Sequence, residues 1–325
     1  MALEINHDSA INLEPATKSY MNTSRRNLLR NSIGLAAGAS VLAPASADND
    51  KINRFLRKKS AGSKKGRINQ SVVSWCFAKY WSTEKMCQVA KDLGCKSIEL
   101  ISPDEFPTLG KHGLTCAITP IDMGGPPFIQ GWNNPKYHAK VGAATRKAID
   151  AASEFGSPNV IAFNGYAEDV SLEDGAANCV EGLKGIVGHA EKKNVTLCLE
   201  MLNTRDDSDP NKGHPGYQGD HIDYCLDIVK RIGSPNMKLL FDIYHVQIMD
   251  GDVIRRIHEC GEHIGHVHTA GNPGRGELDD TQEINYPPIM NALLEVGYEG
   301  FVGQEFIPTR NPLQGLTEAV ELCDV

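Results

Sequence analysis

Residues 238–252 read KLLFDIYHVQIMDGD. The opening KLLF is a short apolar run of the kind that forms a strand buried on both faces. It leads directly into Asp242 and, three residues later, His245. A carboxylate and an imidazole at the end of a buried strand are expensive to desolvate without partners. Either they hold each other and the backbone, or they face a ligand or a metal.

The same arrangement recurs along the chain. Short apolar runs at 71–75, 97–100, 114–118, 159–163, 196–202, 238–242, 264–268 and 300–305 read as strands. Amphipathic patterns near 83–93, 134–155, 171–192, 218–232, 252–262, 285–297 and 312–323 read as helices, with a weaker one near 104–112. Ser82 and Ser171 stand where helix N-caps are expected, and Gly94, Gly113, Gly156 and Gly297 follow helical runs as C-caps would. Eight strands alternating with helices over roughly 255 residues match the size of a (β/α)₈ TIM barrel. A doubly wound open sheet would ordinarily have fewer strands and a glycine-rich first turn, and no GxGxxG or GxxxxGK[ST] follows any candidate strand.

In such a barrel the chemistry collects at the carboxyl ends of the strands. There the fifth strand ends in Glu200, the sixth in Asp242 with His245 beyond it, the seventh in His266 and His268, and the eighth in Glu305. The first, third and fourth offer almost nothing charged. Three carboxylates on adjacent strands would repel one another unless a cation lay between them. Glu200, Asp242, His268 and Glu305 therefore read as ligands of one divalent ion. Three oxygens and one nitrogen suit Mn²⁺ or Mg²⁺, with Co²⁺ and Zn²⁺ also compatible. His266 and His268 share one face of their strand, and His268 is preferred as ligand because it lies nearer the carboxyl end.

The 325 residues carry a net charge of −8, unevenly spread. Residues 48–67 hold eight Lys/Arg, whereas residues 68–325 hold 36 acidic and 21 basic residues, a balance of −15. That surface disfavours nucleic acid. At the N-terminus, Ser24-Arg25-Arg26-Asn27-Leu28-Leu29, an apolar stretch from Ile33 to Ala43 and Ala45-Ser46-Ala47 follow the order of a twin-arginine export signal. The expected organisation is a signal peptide over 1–47, a basic linker over 48–67 and the barrel over 68–325. The apolar stretch is shorter than the ~20 residues of a membrane span, so the expected destination is the periplasm or its equivalent, without stable membrane insertion. Nine cysteines, an odd number with no CxxC, read as buried free thiols rather than disulfides.

FDIYHVQIMDGD at 241–252, IGHVHTAGNPGRGELDDTQEINYPPI at 264–289 and GYEGFVGQEFIP at 297–308 resemble the motifs of the hydroxypyruvate isomerase family. That family sits within the xylose-isomerase-like barrels, which also include sugar 3-epimerases. The resemblance implies a divalent-metal site at Glu200, Asp242, the strand-seven residue and Glu305, with the two glutamates as an acid/base pair. It implies that His245 and Arg275 bind oxygens of a small hydroxycarbonyl substrate, for which hydroxypyruvate/tartronate semialdehyde interconversion leads. Ketose 3-epimerisation follows, because bacterial hydroxypyruvate isomerases typically have glutamine where His268 stands and the epimerases have histidine. The family's Glu-Pro after strand five is here Glu200-Met201, and the following loop, NTRDDSDPNKGHPGYQGD, is long.

Such a pair fits proton transfer through an enediolate: one glutamate removes a carbon-bound proton and the other returns one. Return to the neighbouring carbon isomerises; return to the opposite face of the same carbon epimerises. Among nearby residues, Arg275 lies in a turn suited to holding a substrate carboxylate, and Glu283 either pairs with it or caps the next helix. His214 is either an exposed loop residue or a cover for the substrate. Trp75, Phe77, Tyr80 and Trp81 read as an apolar wall or as core, and Glu99 faces the barrel interior on alternation alone. A three-zinc endonuclease is disfavoured by the charge, and a non-catalytic sugar-binding barrel by the presence of both glutamates. The sequence is silent on a homo-oligomer.

Overall fold

The computed structural model describes residues 65–325. The signal peptide expected at 1–47 and residues 48–64 of the linker lie outside the described residues. The last linker residues are tied to the far end of the chain. The Lys65 and Gly66 amides donate to the Asp324 carboxylate at 2.9 and 2.6 Å, and Arg67 Nε donates to the Val325 carbonyl at 2.8 Å.

Eight parallel strands form the barrel: β1 (Asn69–Val73), β2 (Ser97–Glu99), β3 (Ile118–Thr119), β4 (Asn159–Phe163), β5 (Thr196–Glu200), β6 (Met237–Asp242), β7 (Ile264–Thr269) and β8 (Phe301–Gln304). Their order is β2-β1-β8-β7-β6-β5-β4-β3. Between β2 and β3 the ring is all but closed by a Ser97–Thr115 bridge and by Leu100 N donating to Ile118 O at 3.0 Å. β3 is shorter than the expected 114–118 because only Ile118 and Thr119 pair with β4.

Among the described residues, ten α-helices surround or cap this wall: α1 (Ser74–Phe77), α2 (Thr83–Leu93), α3 (Phe106–Lys111), α4 (His138–Phe155), α5 (Leu172–Lys193), α6 (Ile222–Ile232), α7 (Ile243–Met249), α8 (Val253–Cys260), α9 (Tyr286–Glu295) and α10 (Pro312–Cys323). Ser82 and Ser171 accept from the Lys85 and Asp174 amides, as their N-cap positions require. Gly94 ends α2 at φ 84°, a left-handed turn that other residues rarely adopt. All nine cysteines are free and buried, and among the described residues no helix is long and apolar enough to cross a membrane.

Two short helices, α1 and α7, differ from the expected reading. Both begin immediately after an inner strand, and a four- or seven-residue segment is too short to show helical periodicity. α7 forms because Asp242 caps it: Oδ1 accepts from Tyr244 N at 2.8 Å and His245 N at 3.3 Å. α1 carries Trp75 out of the expected strand 71–75.

Candidate active site

The carboxyl ends of β5 to β8 converge. Glu200, Asp242, His268 and Glu305 are all buried, and one donor atom from each lies within 4.8 Å of the others. β-register explains the closeness of two of them, since Asp242 is paired with His268 across β6 and β7. With Oδ1 of Asp242 used as the cap of α7, Oδ2 is left to face the centre, 3.6 Å from His245 Nε2 and 3.6 Å from Arg275 Nη2. Nδ1 of His268 lies 3.0 Å from Glu305 Oε2 and 3.5 Å from Glu200 Oε1, yet it has no hydrogen-bond partner.

This donor set fits a hard divalent cation. Three carboxylates turned toward one point need a positive charge between them. The misaligned Nδ1 of His268 is a buried nitrogen for which an ion would supply the missing partner. Three oxygens and one imidazole nitrogen match the preferences of Mn²⁺ or Mg²⁺ more closely than those of a thiolate-seeking metal.

Arg275 and His245 border the same point. Arg275 is buried despite lying in a loop; Nη2 pairs with Glu305 Oε2, and Nη1 donates to the Asn211 carbonyl at 2.8 Å. Its guanidinium lies over the rings of Trp75 and Tyr244, at 5.3 and 5.6 Å. His245 is held from behind. Its Nδ1 accepts from the Asn203 amide at 3.1 Å and is 2.7 Å from Asn203 Nδ2. A nitrogen that accepts cannot carry the proton, so the proton of neutral His245 sits on Nε2, the atom turned toward the centre.

The electrostatics divide the carboxylates. Burial pushes Asp242 up to about 7, against the pull of Arg275. Burial also raises Glu200, reinforced by the charge of Glu305 and opposed by His268. Glu305 is buried too, but Arg275 and then His268 outweigh that penalty and hold it well below the usual carboxylate range. Burial works against charge on His268, but Glu305 and the contacts with Glu200 and Glu99 push it well above the usual imidazole range. Two glutamates with oppositely displaced acidities are the arrangement that acid/base pairs use.

All six residues singled out in the sequence (Glu200, Asp242, His245, His268, Arg275 and Glu305) meet here. Several others gain a role that their local sequence did not show. His214, open to an exposed reading, is 3% exposed, and its ring lies 4.3 Å from Phe128 and 5.9 Å from His245. Burial, then Arg275, lowers its pKa to about 4. It belongs to a strap over 203–217 that Asn203 pins down. Asn203 Nδ2 donates to the Lys212 carbonyl at 2.8 Å, and Asn203 O accepts from His214 N at 2.8 Å. Tyr244 Oη donates to the same Lys212 carbonyl at 3.0 Å. Trp75 turns its indole N–H to Glu305 Oε1 at 3.0 Å, so it lines the site, whereas Phe77 is core and stacks on Trp81. Glu283 neither pairs with Arg275 nor caps a helix; it accepts from Asn272 and Gln247 and braces the turn.

Comparison with known proteins places this geometry in a family. Residues 87–324 match the model of the xylose isomerase-like TIM barrel. The 2-oxo-tetronate isomerase of Cupriavidus necator is 32% identical over 255 residues, covering 75% of this chain and 94% of that protein. The hydroxypyruvate isomerase of Escherichia coli is 32% identical over 146 residues, covering 45% of this chain and 54% of that protein. Among solved structures, an AP endonuclease, family 2, from Brucella melitensis superposes with a TM-score of 0.65 at 25% identity, over 77% of this chain and 97% of that one. With its fold, its convergent strand ends and these relatives, the chain belongs to the xylose-isomerase-like TIM barrels and, within them, to the hydroxypyruvate isomerase family.

Proposed function

We propose that the chain is a divalent-metal-dependent isomerase of a small hydroxycarbonyl acid, interconverting hydroxypyruvate and tartronate semialdehyde or a close homologue. The observation that carries this reading is the convergence of buried Glu200, Asp242, His268 and Glu305 beside Arg275 and His245. The relatives named for hydroxypyruvate and 2-oxo-tetronate support the substrate class. The balance of −15 over residues 68–325 weighs against a nucleic-acid substrate.

Glu200, Asp242, His268 and Glu305 would hold the ion, which when bound supplies stabilisation of negative charge on neighbouring substrate oxygens. The protein groups do the rest. Arg275 offers its planar donor fork to the substrate carboxylate, and His245 offers Nε2–H to a substrate oxygen. One glutamate takes the proton from the hydroxyl-bearing carbon beside the carbonyl, and the other delivers a proton to the former carbonyl carbon, while the hydroxyl proton passes to the neighbouring oxygen, so that hydroxyl and carbonyl change places. Trp75, Phe128 and His214 wall the pocket, which shields the enediolate from side reactions while the two glutamates exchange their protons with solvent between turnovers.

The choice of histidine at position 268 keeps ketose 3-epimerisation as the second reading, in which the proton returns to the opposite face of the same carbon. Solvent-deuterium incorporation, followed by NMR with the full chain and added Mn²⁺, tests both. Hydroxypyruvate is expected to take up label and isomerise; label with inversion in ketoses alone would transfer the assignment to epimerisation, and no uptake from any hydroxycarbonyl would overturn proton transfer altogether. For the N-terminal segment we propose export by the twin-arginine route, on the order of Arg pair, apolar stretch and small-residue site within 1–47.

A further inference from the structure

We propose that Glu99 is the positioning residue that turns Nδ1 of His268 toward the ion, an inference that rests on the metal-site reading above. Glu99 belongs to β2, across the barrel from β7, and its side chain is fully buried. Its Oε1 lies 2.8 Å from Nε2 of His268 and 2.8 Å from Nε2 of His266. An imidazole has two nitrogens, and a neutral one carries its proton on only one of them. With the Nε2 proton of His268 held by a carboxylate, Nδ1 is the nitrogen left to give up its proton to a bound ion, and it is the atom that faces Glu200 and Glu305. A carboxylate behind a ligand histidine fixes its tautomer and ring orientation and raises its basicity.

A second feature, on a different strand, supports the pairing. Gly303 of β8 stands in register with His268. A Cβ built on it would lie 2.3 Å from Glu99 Oε1 and 2.9 Å from His268 Cδ2. Only glycine therefore leaves the space in which this carboxylate and this imidazole meet. His266 shares the carboxylate oxygen from below, so the Glu99 charge is divided between two N–H donors and pinned against rotation.

Glu99, His266 and His268 also satisfy the donor spacing of a metal group in their own right. Separations of 2.8 Å from one oxygen to both nitrogens are ordinary hydrogen-bond lengths, and the positioning role needs no ion there. The two alternatives differ in the number of ions bound.

Isothermal titration of the full chain with Mn²⁺ alone separates the outcomes. Wild type is expected to bind one ion per chain. Glu99→Gln, which keeps an acceptor oxygen but loses the charge, and Gly303→Ala, which displaces the pair, are each expected to bind it about 10- to 100-fold more weakly. Unchanged affinity in Glu99→Gln would overturn the positioning role and leave the metal-site reading standing. No binding by wild type would overturn that reading itself, and two ions per wild-type chain would replace positioning with a second metal site. A measurement free of substitutions checks the tautomer directly: ¹⁵N-histidine NMR of the Zn²⁺-loaded wild-type chain should find the His268 proton on Nε2, and a proton on Nδ1 would refute the proposal.

Discussion

The two halves of the barrel are built from the same repeating unit and carry different loads. At or beside the ends of β5 to β8 stand Glu200, Asp242, His268 and Glu305, four groups whose burial costs free energy that only their convergence offsets. β1, β3 and β4 end in apolar or neutral residues, β2 ends in Glu99, and the helices of this half bury side chains such as Leu109 and Ile149. From this half Glu99 meets His268, and Trp75 turns its indole N–H to Glu305. The difference teaches that one half is shaped for stability and the other for a charge arrangement that stability alone would not select.

The largest expected effect comes from breaking the charged half. Glu200→Gln or Glu305→Gln removes one member of the acid/base pair, so turnover should fall by about 10²- to 10⁴-fold, measured as isomerisation rate at saturating metal. The metal-free Glu200→Gln chain should nevertheless be no less stable in thermal unfolding, because one of three mutually repelling carboxylates has gone. Near-full activity in both variants would remove the proposed pair.

The next effect belongs to the other half and has the opposite character. Ile149 of α4 is fully buried, and Ile149→Ala should lower unfolding stability by about 2–5 kcal/mol through lost contacts and a residual cavity. Its turnover at a temperature where the chain remains folded should match wild type. A large loss of turnover without a stability change would erase the division between the halves.

How much of this was legible depended on how local each cause is. The barrel is readable because its strands and longer helices are specified locally, by apolar runs, serine caps and terminal glycines. The convergence of Glu200, Asp242, His268 and Glu305 is readable because a TIM barrel sends its strand ends to one place. Glu99 faced inward on alternation, but its partners lie 167 and 169 residues away, and no local pattern encodes that approach. Trp75 reads as part of an apolar run because α1, four residues long, is too short to show helical periodicity. His214 is buried by the strap that carries it, and a loop's path over a site depends on anchors elsewhere.

Asn203 is the principal such anchor, and it gives the smallest and most discriminating test. It holds His245 Nδ1 through both its backbone and side-chain nitrogens while tying down the strap at Lys212 and His214. Asn203→Ala keeps the backbone N–H on Nδ1, so the proton of His245 stays on Nε2. Each side-chain hydrogen bond lost is worth about 0.5–1.5 kcal/mol, and kcat/KM should drop by roughly tenfold. Asn203→Asp is closer in shape but replaces a donor with a carboxylate at the same nitrogen, which draws the proton to Nδ1 and leaves Nε2 without one to offer the substrate. The aspartate variant should therefore be the more impaired, and the ¹⁵N shifts of His245 should report the exchanged tautomer. An aspartate variant as active as the alanine one would mean that His245 acts through its shape and not through its Nε2 proton, and would detach the strap from the chemistry of the charged half.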